Sequence, residues 1–541
     1  MELNLADLFE SVVDAVPDRT ALVAGDRCLT YRQLNDRIDR VATILANAGV
    51  GPGDFVGIQL PNGSEYLEVM LAAFKVRAVP VNVNYRYVGD ELRYLFADAG
   101  LVALVHHREY QDAVDRALSA MPEQRLVLSV GTDGSYEPAL AATTALTTYP
   151  SRSADDLYCV YTGGTTGMPK GVLWRQEDIF FAAMGGGDPY QFGDHITSAD
   201  QLPGRIPDPG MVALPAPPFM HAAGHWLAFS ILFGGGTVVT LPGGQFDPAT
   251  LWRLVDEERA NIVVIVGDAM ARPLLDELEA NPGRYELSSL VALGSGGALF
   301  SPSTKARFRQ VAPNLIIRDA FGASETGQLG GTPPADDPDG SPRLHVDDRT
   351  TVLDAEHRPV KPGSGETGHL ARGGHVPLGY LGDPEKSAAT FVEVDGARWS
   401  LPGDLATVEE DGTIVVLGRE SQCINTGGEK VYPEEVEAAL KANDMVLDTI
   451  VVGVKDRTWG QAVCAVVEPR PGSTLTIDDL REFTRGRIAN YKLPRHLVLV
   501  DQIVRSPSGK PDTRWASTVA NEAITQDSVC PGSRHPGAMI L

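Results

Sequence analysis

Residues 161–171 read Tyr161-Thr-Gly-Gly-Thr-Thr-Gly-Met-Pro-Lys170-Gly171, and this stretch is the most informative part of the chain. Its glycines leave backbone N–H groups open to close approach by an anion, its threonines add hydroxyl donors, and Lys170 adds a positive charge. This composition favours phosphate binding, although a flexible surface loop can have the same composition. It is not a Walker A loop, because Gly171 follows Lys170 where Ser or Thr is required and Pro169 stands where Gly belongs.

The composition is that of a soluble globular protein with several domain-sized units. The chain has 541 residues, of which 43% are hydrophobic and 22% are charged. Its 46 basic and 71 acidic residues give a net charge of −25, which argues against nucleic acid and anionic membrane surfaces as partners. An acidic protein can still bind a nucleotide where positive charge is local.

Cysteine usage and the chain start predict a cytoplasmic protein. The five cysteines are scattered and form no CxxC pair, which argues against a disulfide framework or a zinc site. The acidic, amphipathic start does not resemble a secretory signal. No run of about 18 apolar residues is present, so we expect no membrane span.

Strand-like and helix-like segments alternate over the first four hundred residues. A capping box at Thr30 and Gln33 predicts a helix over 30–49. The expected strands are Phe55–Leu60, Leu101–Val105, Leu126–Val130, Thr237–Leu241 and Ile262–Val266, and the expected helices include Tyr66–Lys75, Ala249–Glu258 and Ala271–Glu279. This alternation predicts an α/β fold with parallel-rich sheets covered by helices.

A smaller α+β unit is expected beyond residue 418. Gly427-Gly428 precedes a helix that begins at Pro433, strands are expected at Thr449–Val454 and Ala462–Glu468, and a helix near 477–489. We therefore predict domains at 1–418 and 419–525. Residues 526–541 have weak periodicity and are expected to be a disordered tail.

A second candidate motif is Phe321-Gly322-Ala323-Ser324-Glu325-Thr326-Gly327, which follows an expected strand at Leu315–Arg318. A single carboxylate beside a triphosphate suits Mg²⁺. Alone, Glu325 is better explained as a carboxylate at a helix start. Ser324 does not form a hydrolase elbow, because Thr326 replaces the last glycine of G-x-S-x-G.

Two further motifs lie towards the end of the chain. Asp404, after Gly403, could accept hydrogen bonds from two ribose hydroxyls, although alone it is better explained as a turn aspartate. The turn Ser506-Pro-Ser-Gly-Lys510-Pro511 presents Lys510, whose charge could stabilise a carboxylate attacking phosphorus. Alone, Lys510 is better explained as a solvated loop lysine.

These motifs, in this order and from about Leu5 to Trp515, resemble the adenylate-forming superfamily of acyl-CoA synthetases, luciferases and peptide-synthetase adenylation domains. The resemblance implies ATP, Mg²⁺ and coenzyme A as cofactors and a small-molecule carboxylic acid as substrate. The acid attacks the α-phosphorus of ATP to give acyl-AMP and pyrophosphate, and a thiol then displaces AMP. It also implies a mobile C-terminal domain that rotates between the two half-reactions, and it leaves a homodimer open.

The resemblance assigns roles to individual residues. Lys510, Glu325, His221 and Lys170 would be catalytic, and Glu325 would bind Mg²⁺ together with Thr166. Lys510 would bridge the attacking carboxylate and the α-phosphate. The nucleotide- and CoA-binding residues would be Thr162, Gly163, Gly164, Thr165, Thr166, Gly167, Lys170, Gly296, Gly297, Ala298, Phe321, Gly322, Ala323, Ser324, Asp404, Arg419, Gly427 and Gly428.

The acyl pocket is expected around Pro217-Pro218-Phe219-Met220-His221, with Met220, His221, Gly224, Gly267 and Asp268 facing the substrate. His221 can equally be a packed core histidine. Its presence where amino-acid-activating relatives place an aspartate argues against an α-amino acid. Gly267 and the small residues after Met220 predict room for a bulky apolar acid.

The sequence departs from the family pattern at three places. Ser421 stands at the hinge where relatives carry Asp or Lys, residues 266–270 replace a Pro-Pro pair, and Phe321 replaces a tyrosine. Several segments, including Gly171–Arg175 and Gly267–Pro273, most resemble actinobacterial synthetases of steroid or other polycyclic acids.

Four functions remain open from the sequence. The leading one is an ATP-dependent acid–thiol ligase (AMP-forming) that makes an acyl-CoA from a steroid side-chain, terpenoid or fatty acid. The alternatives are an enzyme that loads a carrier protein, a member that retains only one half-reaction, and a non-catalytic nucleotide sensor. Lys170, Glu325, Asp404, Arg419 and Lys510 together argue against the sensor, which needs no lysine at a reacting centre.

Overall fold

The computed structural model describes residues 2–119, 121, 124–146, 148–162, 168–188, 194–243, 246–332, 343–344, 349–426, 429–456, 459–485, 487–506, 509–529 and 538–540. The α-helices are α1 Leu5–Ala15, α2 Tyr31–Asn47, α3 Ser64–Lys75, α4 Asp90–Ala99, α5 Gln111–Leu118, α6 Tyr136–Ala142, α7 Gln176–Ala183, α8 Ala222–Phe233, α9 Pro248–Glu257, α10 Gly267–Ala280, α11 Pro302–Val311, α12 Pro384–Thr390, α13 Pro433–Lys441, α14 Ile477–Thr484 and α15 Thr513–Val529.

The β-strands are numbered in chain order, like the helices. They are β1 Thr20–Ala24, β2 Arg27–Thr30, β3 Phe55–Gln59, β4 Val79–Asn82, β5 Leu101–His107, β6 Leu126–Val130, β7 Leu157–Thr162, β8 Lys170–Arg175, β9 Val212–Pro215, β10 Thr237–Thr240, β11 Ile262–Ile265, β12 Ala292–Gly296, β13 Ile316–Ala323, β14 Gly327–Thr332, β15 Arg343–Leu344, β16 Thr350–Leu353, β17 Gly368–Gly373, β18 Gly379–Tyr380, β19 Phe391–Val394, β20 Ala397–Ser400, β21 Asp404–Val408, β22 Ile414–Arg419, β23 Ile424–Thr426, β24 Glu429–Val431, β25 Val446–Asp456, β26 Gly460–Pro469, β27 His496–Val500 and β28 Ala538–Ile540.

Two parallel-rich sheets form the body of the N-terminal part. One has eight strands in the order β14-β13-β12-β11-β9-β10-β1-β2, and the other has four in the order β4-β3-β5-β6. Short apolar runs such as Ile262–Ile265 form their strands, because both faces of such a sheet are covered by helices. The carboxyl ends of β9, β12 and β13 therefore meet at one edge, where ligands bind in open α/β sheets.

Antiparallel sheets complete this part. The hairpin β7–β8 pairs with β18 in a three-stranded sheet, and a seven-stranded sheet contains β21 and β22. The chain then passes to a six-stranded sheet of mixed direction between Arg419, where β22 ends, and Ile424, where β23 begins. The architecture is thus a large α/β N-terminal part followed by a small α+β C-terminal part, as the sequence predicts.

Local predictions agree closely with these elements. The capping box is present, since Thr30 Oγ1 accepts from the Gln33 amide and the Gln33 side chain accepts from the Thr30 amide. The helix predicted near 477–489 ends earlier, at Thr484. The strand predicted at Leu315–Arg318 continues to Ala323, because β12 and β14 flank it on both sides.

The end of the chain differs from the expected disordered tail. Helix α15 continues to Val529, past the boundary predicted at residue 526, and β28 pairs with β27. Ala516 and Ala520 are fully buried against the C-terminal sheet, so the first half of α15 is packed onto that sheet. Among the residues that the structure describes, no helix is both long enough and apolar enough to cross a membrane.

Candidate active site

The hairpin β7–β8 places Lys170 beside β18 and the residues that follow it. Thr162 pairs with Lys170 across the hairpin. Residues 163–167 between them lie outside the described residues, so the roles expected for Gly163, Gly164, Thr165, Thr166 and Gly167 stay predictions. The Lys170 ammonium forms an ion pair with Asp383 and lies 5.8 Å from the centre of the Tyr380 ring. The bond from Lys170 holds the pKa of Asp383 below its usual range. Lys170 is therefore already oriented before any ligand binds.

A buried asparagine joins the hairpin to the expected acyl region. The Asn82 amide donates to the carbonyls of Tyr161 at 2.8 Å and Met220 at 2.7 Å, and Asn82 Oδ1 accepts from the Tyr161 amide at 2.7 Å. The sequence interpretation missed Asn82, which belongs to no motif. Its place at the carboxyl end of a parallel strand is the signal that could have found it.

Glu325 is fixed by contacts from three other elements. Tyr380 Oη donates to Glu325 Oε1 at 2.9 Å, Ser400 Oγ donates to the Glu325 carbonyl at 2.7 Å, and Trp174 Nε1 donates to the Ser324 carbonyl at 3.0 Å. No group of three or more His, Cys, Asp or Glu side chains suited to a metal occurs among the described residues. A single carboxylate matches a Mg²⁺ that draws its other ligands from phosphates and water.

Asp404 and Arg419 are cross-strand partners on β21 and β22, with Asp404 Oδ1 2.8 Å from Arg419 Nε. Asp404 is 4% exposed, and its Oδ2 has no hydrogen-bond partner within the part of the chain that is described. Burial raises the pKa of Asp404, and the Arg419 charge opposes that rise. A buried acceptor without a donor fits a ligand that brings hydroxyl groups.

Lys510, from the C-terminal part, reaches the same place. A Cβ on Gly297 would lie 3.4 Å from Lys510 Cε, and Gly297 has a φ of +81°. Burial deep among protein atoms and the Arg419 charge lower the pKa of Lys510, while the Glu325 and Asp404 carboxylates oppose the shift. Lys510 nevertheless keeps more than a third of its surface accessible. The space that it shares with Glu325, Asp404 and Arg419, named the cleft here, is therefore open to solvent.

The residues expected to contact adenine lie on β12, on β13 and in the segment after β12. Gly296 pairs with Ala320 in the parallel register, and a Cβ on Gly296 would lie 3.2 Å from the Ala320 carbonyl. Ala298 and Phe321 are half-buried, and Phe321 packs against the apolar cluster that contains Leu329 and Leu344. Gly322, Ala323 and Ser324 continue along β13 into the turn before Glu325.

Two histidines near the start of α8 have different environments. His225 is buried, with Nδ1 2.7 Å from the Phe219 carbonyl and Nε2 beside Tyr158 Oη, so it belongs to the core. His221 precedes α8, and its buried Nε2 has no hydrogen-bond partner among the described residues. Burial and the nearby Lys510 charge lower the pKa of His221 to about 3, so its imidazole is neutral at pH 7.

Two of the glycines expected in the acyl pocket lie close to neighbouring backbone. A Cβ on Gly267 would lie 2.4 Å from the Leu299 carbonyl, at a φ of +50°. A Cβ on Gly224 would lie 2.7 Å from the carbonyls of Pro217 and Pro218. Both glycines leave room for neighbouring backbone that a Cβ would strike. Their place beside an acyl group stays a prediction.

Met220 and Asp268 also have protein partners. Met220 is 1% exposed and is part of the main apolar core. Asp268 Oδ1 accepts from the Ser301 amide at 3.0 Å, and Oδ2 lies 3.3 Å from Arg272 Nε. The sequence interpretation did not anticipate this ion pair, which turns the Asp268 carboxylate towards Arg272.

Gly427 and Gly428 lie outside the described residues, between β23 and β24. Thr426 pairs with Glu429, so β23 and β24 form a hairpin.

The cleft contains a cluster of charged side chains that act on one another: Glu325, Asp404, Arg419 and Lys510. Two carboxylates and two cations around a glycine-lined segment are suited to binding and cleaving a charged nucleotide.

Comparison with known proteins identifies the class. The AMP-binding enzyme family model matches residues 9–381, and the model of the AMP-binding enzyme C-terminal domain matches residues 435–510. The chain belongs to the AMP-binding enzyme family.

Individual relatives span nearly the whole chain. A 3-oxocholest-4-en-26-oate–CoA ligase of Rhodococcus rhodochrous is 48% identical, over 95% of this chain and 96% of that protein. A medium/long-chain-fatty-acid–CoA/3-oxocholest-4-en-26-oate–CoA ligase of Mycobacterium tuberculosis is 46% identical, over 98% of each. The crystal structure of ATP-bound MatB from Rhodopseudomonas palustris superposes with a TM-score of 0.81 at 25% identity, over 97% of this chain and 99% of that one.

Proposed function

We propose that the protein is an AMP-forming acyl-CoA synthetase that activates a bulky apolar carboxylic acid through an acyl-adenylate. Family membership and the names of the relatives support this class of reaction. The observation that carries the proposal is the cluster of Glu325, Asp404 and Arg419 around Lys510, which comes from the other end of the chain. A nucleotide sensor has no use for a lysine delivered by a second domain.

In the first half-reaction, a carboxylate oxygen of the acid forms a bond to the α-phosphorus of ATP, and the bond from that phosphorus to pyrophosphate breaks. The Lys510 ammonium would face the negative charge that develops on the α-phosphate and the incoming carboxylate. The free Oδ2 of Asp404 would accept from ribose hydroxyls. Neutral His221 would border the carboxylate without competing for it as a second cation.

Lys170 and the loop before it would hold the β- and γ-phosphates. Asp383 now neutralises Lys170, so the phosphates would replace one anion by another. Glu325, with phosphate oxygens and Thr166, would hold Mg²⁺. When bound, that ion offsets the charge of the triphosphate.

In the second half-reaction, the CoA thiol attacks the acyl carbon, and AMP leaves. Lys510 occupies the cleft in this structure, so we expect the C-terminal part to move away and the hairpin around Gly427 and Gly428 to approach the acyl-adenylate. Such a motion is a hinge closure between two orientations. Ser421, in the short segment between β22 and β23, is the expected hinge residue.

The acid is proposed from the relatives rather than from the pocket. Both curated relatives act on 3-oxocholest-4-en-26-oate, and one also acts on medium- and long-chain fatty acids. The Lys510 charge acts on His221, the last residue of Pro217–His221, so an acid bound beside His221 would have its carboxylate near the reacting centre. A steroid side-chain acid is therefore the first substrate to test.

The decisive assay measures pyrophosphate release and CoA-thioester formation separately. We expect 3-oxocholest-4-en-26-oate and long-chain fatty acids to give both products, and salicylate and amino acids to give little of either. Pyrophosphate without thioester, or thioester only from supplied acyl-AMP, would identify a member with one half-reaction. ATP binding with neither product over the whole panel would reject the proposal in favour of a sensor. A cytoplasmic location and a homodimer remain predictions. Light scattering, which measures the molar mass in solution, would test the homodimer.

A further inference from the structure

A buried arginine of α10 binds backbone that belongs to the C-terminal part of the protein. Arg272 is 6% exposed. Its Nη1 donates to the carbonyl of Val446 at 3.1 Å and to that of Leu447, and its Nη2 donates to the carbonyl of Lys441 at 3.1 Å. One side chain thus holds three carbonyls across the boundary between the two parts.

The carbonyls of Lys441, Val446 and Leu447 are suitable acceptors for a positively charged side chain. Lys441 is the last residue of α13, where carbonyls lack partners within the helix and carry the negative end of its dipole. On the other side, Asp268 Oδ2 lies 3.3 Å from Arg272 Nε and balances its charge. A buried guanidinium needs such a full set of partners, because an unpaired buried charge is strongly unfavourable.

The same segment is connected to the turn that carries Lys510. Asp448 follows Leu447 and binds Arg505 through two contacts of 2.7 Å, and Arg505 Nη1 donates to the Gly509 carbonyl at 2.9 Å. A Cβ on Gly509 would lie 3.1 Å from Cγ1 of Val266, the residue before α10. The C-terminal part therefore approaches this region twice, at Val266 just before α10 through the lysine turn and within α10 through Arg272.

We propose that Arg272 is a positioning residue, a latch that holds the C-terminal part in the orientation that delivers Lys510 for adenylate formation. The latch must open before the thiol reacts, since the three carbonyls and Lys510 move as one unit. The inference rests on the proposed function, because it assigns Arg272 to one of the two half-reactions. The partners of Arg272 described above include no residue of the nucleotide site and not Lys510. Arg272 therefore acts on Lys510 indirectly, through Val446–Asp448 and Arg505.

The test compares Arg272→Gln and Arg272→Lys with the unmodified enzyme in each half-reaction. Arg272→Gln loses charge-assisted hydrogen bonds, and we expect adenylate formation, measured as pyrophosphate release without CoA, to fall about 10- to 100-fold. Thioester formation from supplied acyl-AMP and CoA should stay within about twofold, because it needs the other orientation. Arg272→Lys keeps the charge beside Asp268 and should restore part of the adenylation rate.

Arg307→Gln is the matched control. Arg307 binds Asp276 at 3.0 Å and Glu279 at 2.6 Å, both on α10, so its ion pairs stay within the N-terminal part. We expect both half-reactions to survive this change. Hydrogen exchange gives a readout besides activity: amides of 441–447 and 505–506 should exchange faster in Arg272→Gln, and those of α11 should not.

Equal loss of both half-reactions in Arg272→Gln, or unchanged exchange at 441–447, would overturn the latch and leave Arg272 as a structural residue. If Arg272→Gln does not fold, Arg272→Lys is the test variant. Any fall in its activity must then be confined to adenylate formation. Failure of the proposed function looks different: the unmodified enzyme would then make neither pyrophosphate nor thioester from any acid, while the exchange experiment would still report on the latch.

Discussion

Glu434 should make the protein lose stability as the pH rises, and Glu434→Gln should remove that loss. Glu434 lies in the first turn of α13 against Gly418, where a Cβ would lie 2.5 Å from its Oε2. That oxygen is buried without a hydrogen-bond partner in the described chain. Burial and the nearby carboxylates of Glu437 and Asp404 raise the pKa of Glu434 to about 8.

The magnitude follows from this pKa. Each pKa unit is worth about 1.4 kcal/mol, so a rise from 4.5 to about 8 makes ionisation of Glu434 in the folded protein cost about 5 kcal/mol. Below pH 4.5 the carboxyl is neutral in both states and costs nothing. Between pH 4.5 and 8 the unfolded chain has lost a proton that the folded protein keeps, so the free energy of unfolding falls as the pH rises. Above pH 8 the full cost is present.

The assay is denaturant unfolding of both proteins between pH 6 and 9. Gln keeps the shape and cannot ionise, so the advantage of Glu434→Gln should grow by about 2 to 3 kcal/mol over this range. Glu435→Gln is the control: Glu435 pairs with Lys492 at 2.6 Å, and its loss should give no growing advantage. Parallel curves for the Glu434→Gln and unmodified proteins would refute the reasoning.

Three further predictions concern the cleft. Glu325→Gln should raise the Mg²⁺ concentration needed for pyrophosphate release and lower that rate about 10- to 100-fold, while thioester formation from supplied acyl-AMP survives; an unchanged Mg²⁺ titration would reject the metal assignment. Asp404→Asn should raise the KM for ATP about tenfold or more, because it weakens the acceptor and its pairing with Arg419; an unchanged KM would remove Asp404 from the nucleotide site. Gly267→Ala should destabilise the protein by about 1–3 kcal/mol and affect short and bulky acids alike, since the Cβ meets the Leu299 carbonyl; a loss confined to bulky acids, with melting temperature unchanged, would return Gly267 to the pocket.

Local signals were sufficient for most of the fold. The capping box at Thr30, the apolar runs of β6 and β11 and the proline at the start of α13 act within a few residues, so the sequence displays them directly. The alternation of these elements also determines the sheet class. Packing decided what local signals left undefined, as in α15, which the buried Ala516 and Ala520 hold against the C-terminal sheet.

Only part of the candidate active site could be predicted from the sequence. Lys170, Glu325 and Lys510 stand in motifs, whereas Asn82, Asp383 and Arg272 act on partners far away in sequence and carry no motif. The glycines show a different limit. An absent side chain leaves room for a ligand or for backbone, and sequence alone does not distinguish the two at Gly224 or Gly267.

The most direct test of the account is Lys510→Ala in both half-reactions across pH. We expect adenylate formation to fall at least about 100-fold, the cost typical of removing one preorganised stabilising group, and thioester formation from supplied acyl-AMP to persist. In the unmodified enzyme, adenylate formation should decline at a pH below the ordinary lysine value of 10.5, because the lowered pKa of Lys510 releases its proton earlier. Equal loss of both half-reactions in Lys510→Ala, or full adenylation without the lysine, would contradict the central claim.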